Sequence, residues 1–248
     1  MATVHTGDAL RVLLTLDTAT VDAVICDPPY NSGGRTSEDR RRGTTRDKYT
    51  TGRRGDLVHE LPEFAGDNRD QRSWITWCTL WLSECLRVTV PGGSLLMATD
   101  WRQLPAATDA IQAAGWTWAG IVTWVKPRGR SRPTRGGFWR QTEYFVWGTH
   151  GRLRTDHEVY LPGVIEATAP GARERRHPTE KPLQLMRELV RIAPPNGLIL
   201  DPFAGSGTTG QAALEEGRRF LGVELTPYYA QVSRDRLATI QPALEESR

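Results

Sequence analysis

The segment that most restricts the fold is Leu200-Asp-Pro-Phe-Ala-Gly-Ser-Gly-Thr-Thr209, where a short apolar run reaches an acidic residue and then passes through two glycines into a helical pattern. Glycines at a strand-to-helix turn let backbone amides approach an anion, and the helix N-terminus favours negative charge there. Turns of this kind belong to α/β architectures, in which strands alternate with helices around a mainly parallel sheet. Glu224 closes the next apolar run, 17 residues after Gly207. An acidic side chain at that place accepts hydrogen bonds from the ribose hydroxyls of nucleotide-type cofactors. Gly207 is followed by Thr208, with no Lys to reach phosphates, which disfavours a P-loop. The anion is better matched by a carboxylate, such as that of a methionyl group. Taken by themselves, these residues also suit an ordinary tight turn beside an incidental surface glutamate.

The rest of the chain keeps the same rhythm. Val21 to Cys26 reads as a buried strand running into Asp27. Trp74, Trp77, Cys78, Trp81, Cys85 and Val88 fall at helical spacing and make one apolar face, ended by Pro91-Gly92-Gly93. Ser94 to Thr99, Ile121 to Val125, Tyr144 to Trp147, Leu198 to Leu200 and Phe220 to Leu225 are expected strands. Gln103 to Ala114, Pro182 to Ala193 and Thr208 to Glu216 are expected helices, and Thr226-Pro227 starts a last one as cap and first-turn proline. The 248 residues suit one α/β domain with no need of a disulfide or metal staple. The three cysteines match no metal-ligand spacing, which points to a reducing, cytosolic setting. With no apolar run near 18 residues and no leader pattern, a secreted or membrane-spanning protein is not expected.

Two segments, within 31–72 and 126–140, break the alternation. The first lacks a sustained apolar period, and between Glu38 and Arg54 carries seven basic residues against three acidic ones. The second, Lys126 to Arg140, carries six basic residues and no acidic one, with Phe138 and Trp139 among them. Long irregular stretches in compact domains are usually functional or disordered. Arg40, Arg41, Arg42, Arg53, Arg54, Arg128, Arg130, Arg132 and Arg135 are therefore candidates for contacts to a nucleic-acid backbone, with solvated surface charge as the bland alternative.

Asp27-Pro28-Pro29-Tyr30 lies just past the carboxyl end of its strand, where α/β sheets place ligand chemistry. The prolines stiffen the turn, so that the Asp27 carboxylate and the Pro28 carbonyl can face one donor such as a base amino group. Tyr30 offers a flat ring for stacking. An ordinary proline turn is the alternative if the tetrapeptide stands by itself.

It is accompanied by Gly7-Asp8, Glu84 to Arg87 before Pro91-Gly92-Gly93, Trp124-x-Lys126 and Thr142-Glu143-Tyr144, and then by His177-Pro-Thr-Glu-Lys-Pro182, Asp201 to Thr209 and Gly222-x-Glu224. In this order the chain resembles the beta-type DNA amino-methyltransferases of bacteria and their phages along nearly its whole length. The resemblance implies a Rossmann-like methyltransferase fold with circularly permuted motif order. It implies S-adenosylmethionine as cofactor with no metal, and double-stranded DNA as partner in the bacterial cytoplasm. A homodimer is compatible with it.

Residue by residue, the resemblance assigns Asp201, Phe203, Ala204, Gly205, Ser206, Gly207, Thr208, Glu224 and Leu225 to the cofactor pocket. Thr179 and Lys181 are expected over the methionyl end, and Asp8 near the cofactor's adenine. Asp27, Pro28, Pro29 and Tyr30 are expected to hold the target base, His177 to be structural, and Lys126 and Glu143 to form a cross-sheet ion pair. Asp at the first position of the tetrapeptide is associated in this family with N6-adenine and Ser with N4-cytosine, so adenine is the expected target. Methylation of N4-cytosine, of RNA or of a protein glutamine, and an inactive DNA-binding homologue, are the alternatives. The Asp-Pro-Pro-Tyr motif precedes the glycine turn by roughly 170 residues, and this order favours DNA.

Overall fold

The computed structural model describes residues 1–29, 70–127, 135–155, 157–169, 171 and 180–240. Among them, fourteen elements alternate along the chain. They are β1 (Ala2–Thr6), α1 (Ala9–Leu13), β2 (Val21–Cys26), α2 (Gln71–Val88), β3 (Thr89–Thr99), α3 (Leu104–Ala113) and β4 (Thr117–Val125). There follow β5 (Thr142–Thr149), β6 (Val164–Glu166), α4 (Leu183–Val190), β7 (Leu198–Asp201), α5 (Thr208–Glu215), β8 (Arg219–Glu224) and α6 (Pro227–Ala238).

The strands form one sheet in the order β1-β8-β7-β2-β3-β5-β4-β6. All described pairings are parallel except those of β5, which runs antiparallel to both β3 and β4. The fold is thus the mainly parallel α/β sheet expected from the alternation. Strand order reverses between β7 and β2, because β2 continues outward through β3 while β7 continues the other way through β8. Ligand crevices in such sheets open at this switch point, beyond the carboxyl ends of the strands. Asp27, Asp201 and Glu224 all stand there.

Helices cover both faces, so the central strands are apolar on both sides rather than alternating. Ala23, Ile25, Leu96, Ala98 and Ile199 point to one core, shared with Leu185, Leu189, Ala212 and Ala213 of α4 and α5. Val24, Cys26, Leu95, Met97 and Leu200 point to the other, shared with Trp74, Cys78, Trp81 and Cys85 of α2 and Ala107 and Ile111 of α3. The three cysteines are buried. Among the described residues no helix is long and apolar enough to cross a membrane.

Several boundaries differ from the expectation. Pro91-Gly92-Gly93 does not separate helix from strand, because β3 already begins at Thr89. The segment is an irregularity inside the strand. Gly92 adopts φ +78°, its amide donates to the His150 carbonyl at 2.8 Å, and the His150 amide returns to the Gly93 carbonyl at 2.9 Å. A side chain at Gly92 would meet the Arg152 carbonyl at 2.9 Å, so glycine is required there. β4 begins four residues before the expected Ile121, and α4 ends at Val190 rather than Ala193. Three elements lie beyond the expectation, namely β1, α1 and β6. Asp70 caps α2 by accepting from the Arg72 and Ser73 amides at 3.0 and 3.1 Å.

Candidate active site

The glycine turn after β7 is built from its own side chains. Asp201 is buried, accepting from the Phe203 amide at 3.0 Å and the Thr209 hydroxyl at 2.6 Å, so its carboxylate closes the turn on itself. Burial pushes its carboxyl up to about 7, although the bonds from Thr209 and Phe203 pull the other way. Gly205 and Gly207 take φ of +50° and +82°. A Cβ on Gly207 would approach the Ser233 hydroxyl to 2.5 Å, so only glycine allows α6 to pack this close. The Phe203 ring stands edge-on to Trp81, at 4.9 Å between centroids.

Glu224 ends β8 on the next strand. Its two carboxylate oxygens accept from the Gly205 amide at 3.0 Å and the Thr226 amide at 2.9 Å. A carboxylate offers about four lone-pair sites, so these two bonds orient it and leave acceptor capacity for a pair of ribose hydroxyls. Leu225 beside it is 52% exposed, an apolar surface that a flat purine could cover. These features fit a nucleoside-type cofactor. Asp8 stands at the same rim, since the Gly7 amide donates to the Glu224 carbonyl at 2.9 Å. Its side chain caps α1 by accepting from the Arg11 amide at 3.1 Å.

At the end of β2 the Asp27-Pro28-Pro29 turn is held by two distant groups. The Trp74 indole nitrogen donates to the Pro29 carbonyl at 2.8 Å, which ties the turn to the first turn of α2. Lys181 places its ammonium 2.6 Å from Asp27 Oδ2 and 3.7 Å from Glu143 Oε2. Glu143 in turn pairs with Lys126 across β4 and β5, the ion pair expected from the sequence. Carboxylate and ammonium therefore alternate through Asp27, Lys181, Glu143 and Lys126 along the carboxyl rim. Burial by itself would lower the Lys181 ammonium pKa, but the Asp27 and Glu143 carboxylates outweigh it and hold it above its ordinary value. The lysine stays charged. Expected over the methionyl end of the cofactor, it pairs with Asp27 in this structure.

The residue before it completes a second tie. Glu180 accepts from Arg236 of α6 at 2.8 Å, in a pair whose side chains are 6% and 9% exposed. Arg236 also donates to the Thr208 hydroxyl at 3.0 Å and to the Ser206 carbonyl at 3.3 Å. Adjacent residues Glu180 and Lys181 thus brace the glycine turn and the Asp-Pro-Pro turn respectively. Neither the Arg236 tie nor the bond from Trp74 to the Asp27 turn is expected from the sequence. The only cue is composition, an arginine among α6's buried positions and an indole opening an apolar helix face.

Other expected site residues fall outside the described ones. These are Tyr30, Thr179, His177, Arg40, Arg41, Arg42, Arg53, Arg54, Arg128, Arg130 and Arg132. Arg135 is described and exposed. Among the described residues no group of three or more His, Cys, Asp or Glu could hold a metal ion.

Comparison with known proteins gives this geometry its context. YubD of Escherichia coli (strain K12), named as a methylase, is 30% identical over 241 residues, covering 97% of this chain and 92% of that protein. The type II methyltransferase M.HinfI of Haemophilus influenzae is 25% identical, over 97% of this chain and 69% of its own. Among solved structures, TTHA0409 of Thermus thermophilus complexed with S-adenosyl-L-methionine shares the fold at a TM-score of 0.66, with 24% identity over 96% of this chain and 95% of that one. The cytosine-N4-specific PvuII DNA methyltransferase does so at 0.69, with 16% identity over 97% and 88%. A family model described as DNA methylase, covering N6- and N4-type enzymes, matches residues 21–162 and 158–235. With most of its length matched, this chain belongs to the N6/N4 DNA methylase family.

Proposed function

We propose that this protein transfers a methyl group from S-adenosylmethionine to the exocyclic N6 amine of adenine in duplex DNA. The observation that carries the reading is the adjacency of two braced turns at the switch point. Glu224 and the glycine turn sit on β8 and β7, and Asp27 sits on β2 beside them.

Bound there, the cofactor supplies an electrophilic methyl on a sulfonium sulfur, which passes to the amine nitrogen as the carbon–sulfur bond breaks and S-adenosylhomocysteine leaves. A base within a duplex must first leave the stack, at roughly a few kcal/mol. Tyr30, assigned by the motif, offers a stacking face that returns about 1–3 kcal/mol. An aromatic amine is a weak nucleophile because its lone pair is delocalised into the ring. The Asp27 carboxylate and the Pro28 carbonyl accept its two hydrogens, draw them out of the ring plane and localise the pair. Lys181, paired with Asp27 Oδ2, orients that carboxylate. After transfer the methylated amine passes one proton to the Asp27 carboxylate and from there to solvent, and no covalent enzyme intermediate is needed. Arginines of the 31–72 and 126–140 segments supply phosphate contacts.

N4-cytosine is the second reading, favoured by the fold shared with the cytosine-N4-specific PvuII enzyme. Asp rather than Ser at position 27 favours adenine. The direct test is transfer of labelled methyl from S-adenosylmethionine into duplex DNA. Asp27→Ala is expected to keep cofactor affinity and lose transfer by at least roughly 10²–10³-fold, the cost of one transition-state polar contact. Robust transfer by that variant would overturn the mechanism.

A further inference from the structure

The carboxyl rim carries a second cluster, on the side of Asp27 away from the glycine turn. β3 pairs with β2 so that Met97 lies opposite Cys26, and the chain leaves β3 just beyond, at Asp100-Trp101-Arg102. β5 begins at the same edge, because Tyr144 lies opposite Thr99, and Arg140 precedes it by four residues. The Trp101 ring is 48% exposed. Its centroid is 5.1 Å from the Arg102 guanidinium and 5.3 Å from that of Arg140. Phe138 and Trp139 on the same approach are 94% and 43% exposed.

The turn is firmly held. Asp100 accepts from the Arg102 and Gln103 amides at 2.9 and 3.1 Å and pairs with the Arg102 guanidinium at 2.7 Å. Trp101 is therefore a large apolar ring fixed in water at a cost in hydration, with cations gathered at its side. Arg102 is neutralised in part by Asp100, whereas Arg140 makes no ion pair among the described residues. The Lys126–Arg140 segment holds six basic residues and no acidic one, so the cluster is complementary to a polyanion.

We infer that Trp101, Arg102 and Arg140 form a seat for the DNA strand next to the extruded base, the guanidinium groups on phosphates and the indole against an unstacked base or its sugar. The inference rests on duplex DNA being the substrate. An apolar ring flanked by cations suits a strand whose stacking has been opened, because every base has a π-face and every step a phosphate. Intact duplex would offer the ring no comparable surface.

The test uses the full chain, fluorescence anisotropy with a labelled duplex over a range of salt, and calorimetry with S-adenosylmethionine. Trp101→Ala should weaken duplex binding by about 5- to 150-fold, the range for loss of one aromatic–base stack, while Trp101→Phe keeps most of it. Arg140→Gln should flatten the plot of log affinity against log salt by about 0.9, as for one lost phosphate contact. Cofactor affinity should not move, since β7 and β8 lie on the other side of β2. Arg140→Gln changes an exposed loop and keeps the test valid if Trp101→Ala fails to fold. Wild-type methylation with unaltered affinity in Trp101→Ala, or with an unaltered salt slope in Arg140→Gln, would overturn the seat and leave the functional reading standing. Variants that alter self-association while each assembled species binds DNA as before would identify a protein–protein surface and also overturn it. A wild-type chain that neither binds nor methylates duplex DNA would instead remove the functional reading.

Discussion

Lys181→Met removes the ammonium that faces Asp27 while keeping a side chain of similar length. At 2.6 Å and an effective dielectric of about 20, the pair attracts by about 6 kcal/mol, from which desolvation of both groups must be subtracted. Breaking a buried pair by removing one partner costs roughly 3–5 kcal/mol. Asp27 is one-quarter exposed (25%) whereas Lys181 is only 7% exposed, so water recovers part of the loss and the lower end applies. A double-mutant cycle with Asp27→Asn, read by urea denaturation, should give a coupling of about 2–3 kcal/mol. Function should divide in a way that a merely structural lysine would not produce. Methyl transfer at saturating cofactor should fall by at least roughly 10²-fold, as for a lost transition-state contact, with cofactor affinity close to wild type. A lysine acting on the cofactor's carboxylate would show the reverse, weak binding with transfer restored at high concentration. A coupling below about 0.5 kcal/mol, or that reversed pattern, would refute the counter-ion role.

Asp201 links stability to pH in an unusual direction for a carboxyl group. Its value is pushed up to about 7 from an ordinary 3.8, so the folded state binds the extra proton between those values. The resulting stabilisation is complete below about pH 4 and lost as pH rises to about 7, by up to about 4 kcal/mol. The unfolding free energy of wild type minus that of Asp201→Asn should therefore fall across this window, and a flat difference in denaturation curves would refute it. Glu224→Ala should weaken S-adenosylmethionine by about 1–3 kcal/mol in calorimetry, the value of hydrogen bonds to a charged group. Unchanged affinity would remove Glu224 from the cofactor site.

The two turns that define the site are legible because each couples a strand end to residues with local consequences. Glycines at positive φ and consecutive prolines leave a mark in sequence that needs no tertiary context. The braces leave none. Lys181 reaches Asp27 across 154 positions and Arg236 reaches Glu180 across 56, and no local period encodes such contacts. β1 and β6 escape for a related reason. Each buries a single side chain, Val4 or Ile165, so neither shows the alternation by which a strand is recognised. Pro91-Gly92-Gly93 has the composition of a terminator but serves as an irregularity within β3, because the 150–154 segment supplies partners for its backbone. Lys126 and Glu143, by contrast, are legible as an ion pair, and the structure extends that pair through Lys181 to Asp27.

The most direct test of the central claim is mass spectrometry of nucleosides from duplex DNA incubated with the protein and S-adenosylmethionine. N6-Methyldeoxyadenosine is expected in the digest, and it should be lost with Asp27→Ala. N4-methyldeoxycytidine as the sole product would contradict the choice of base, and the absence of any methylated nucleoside would contradict the proposed activity itself.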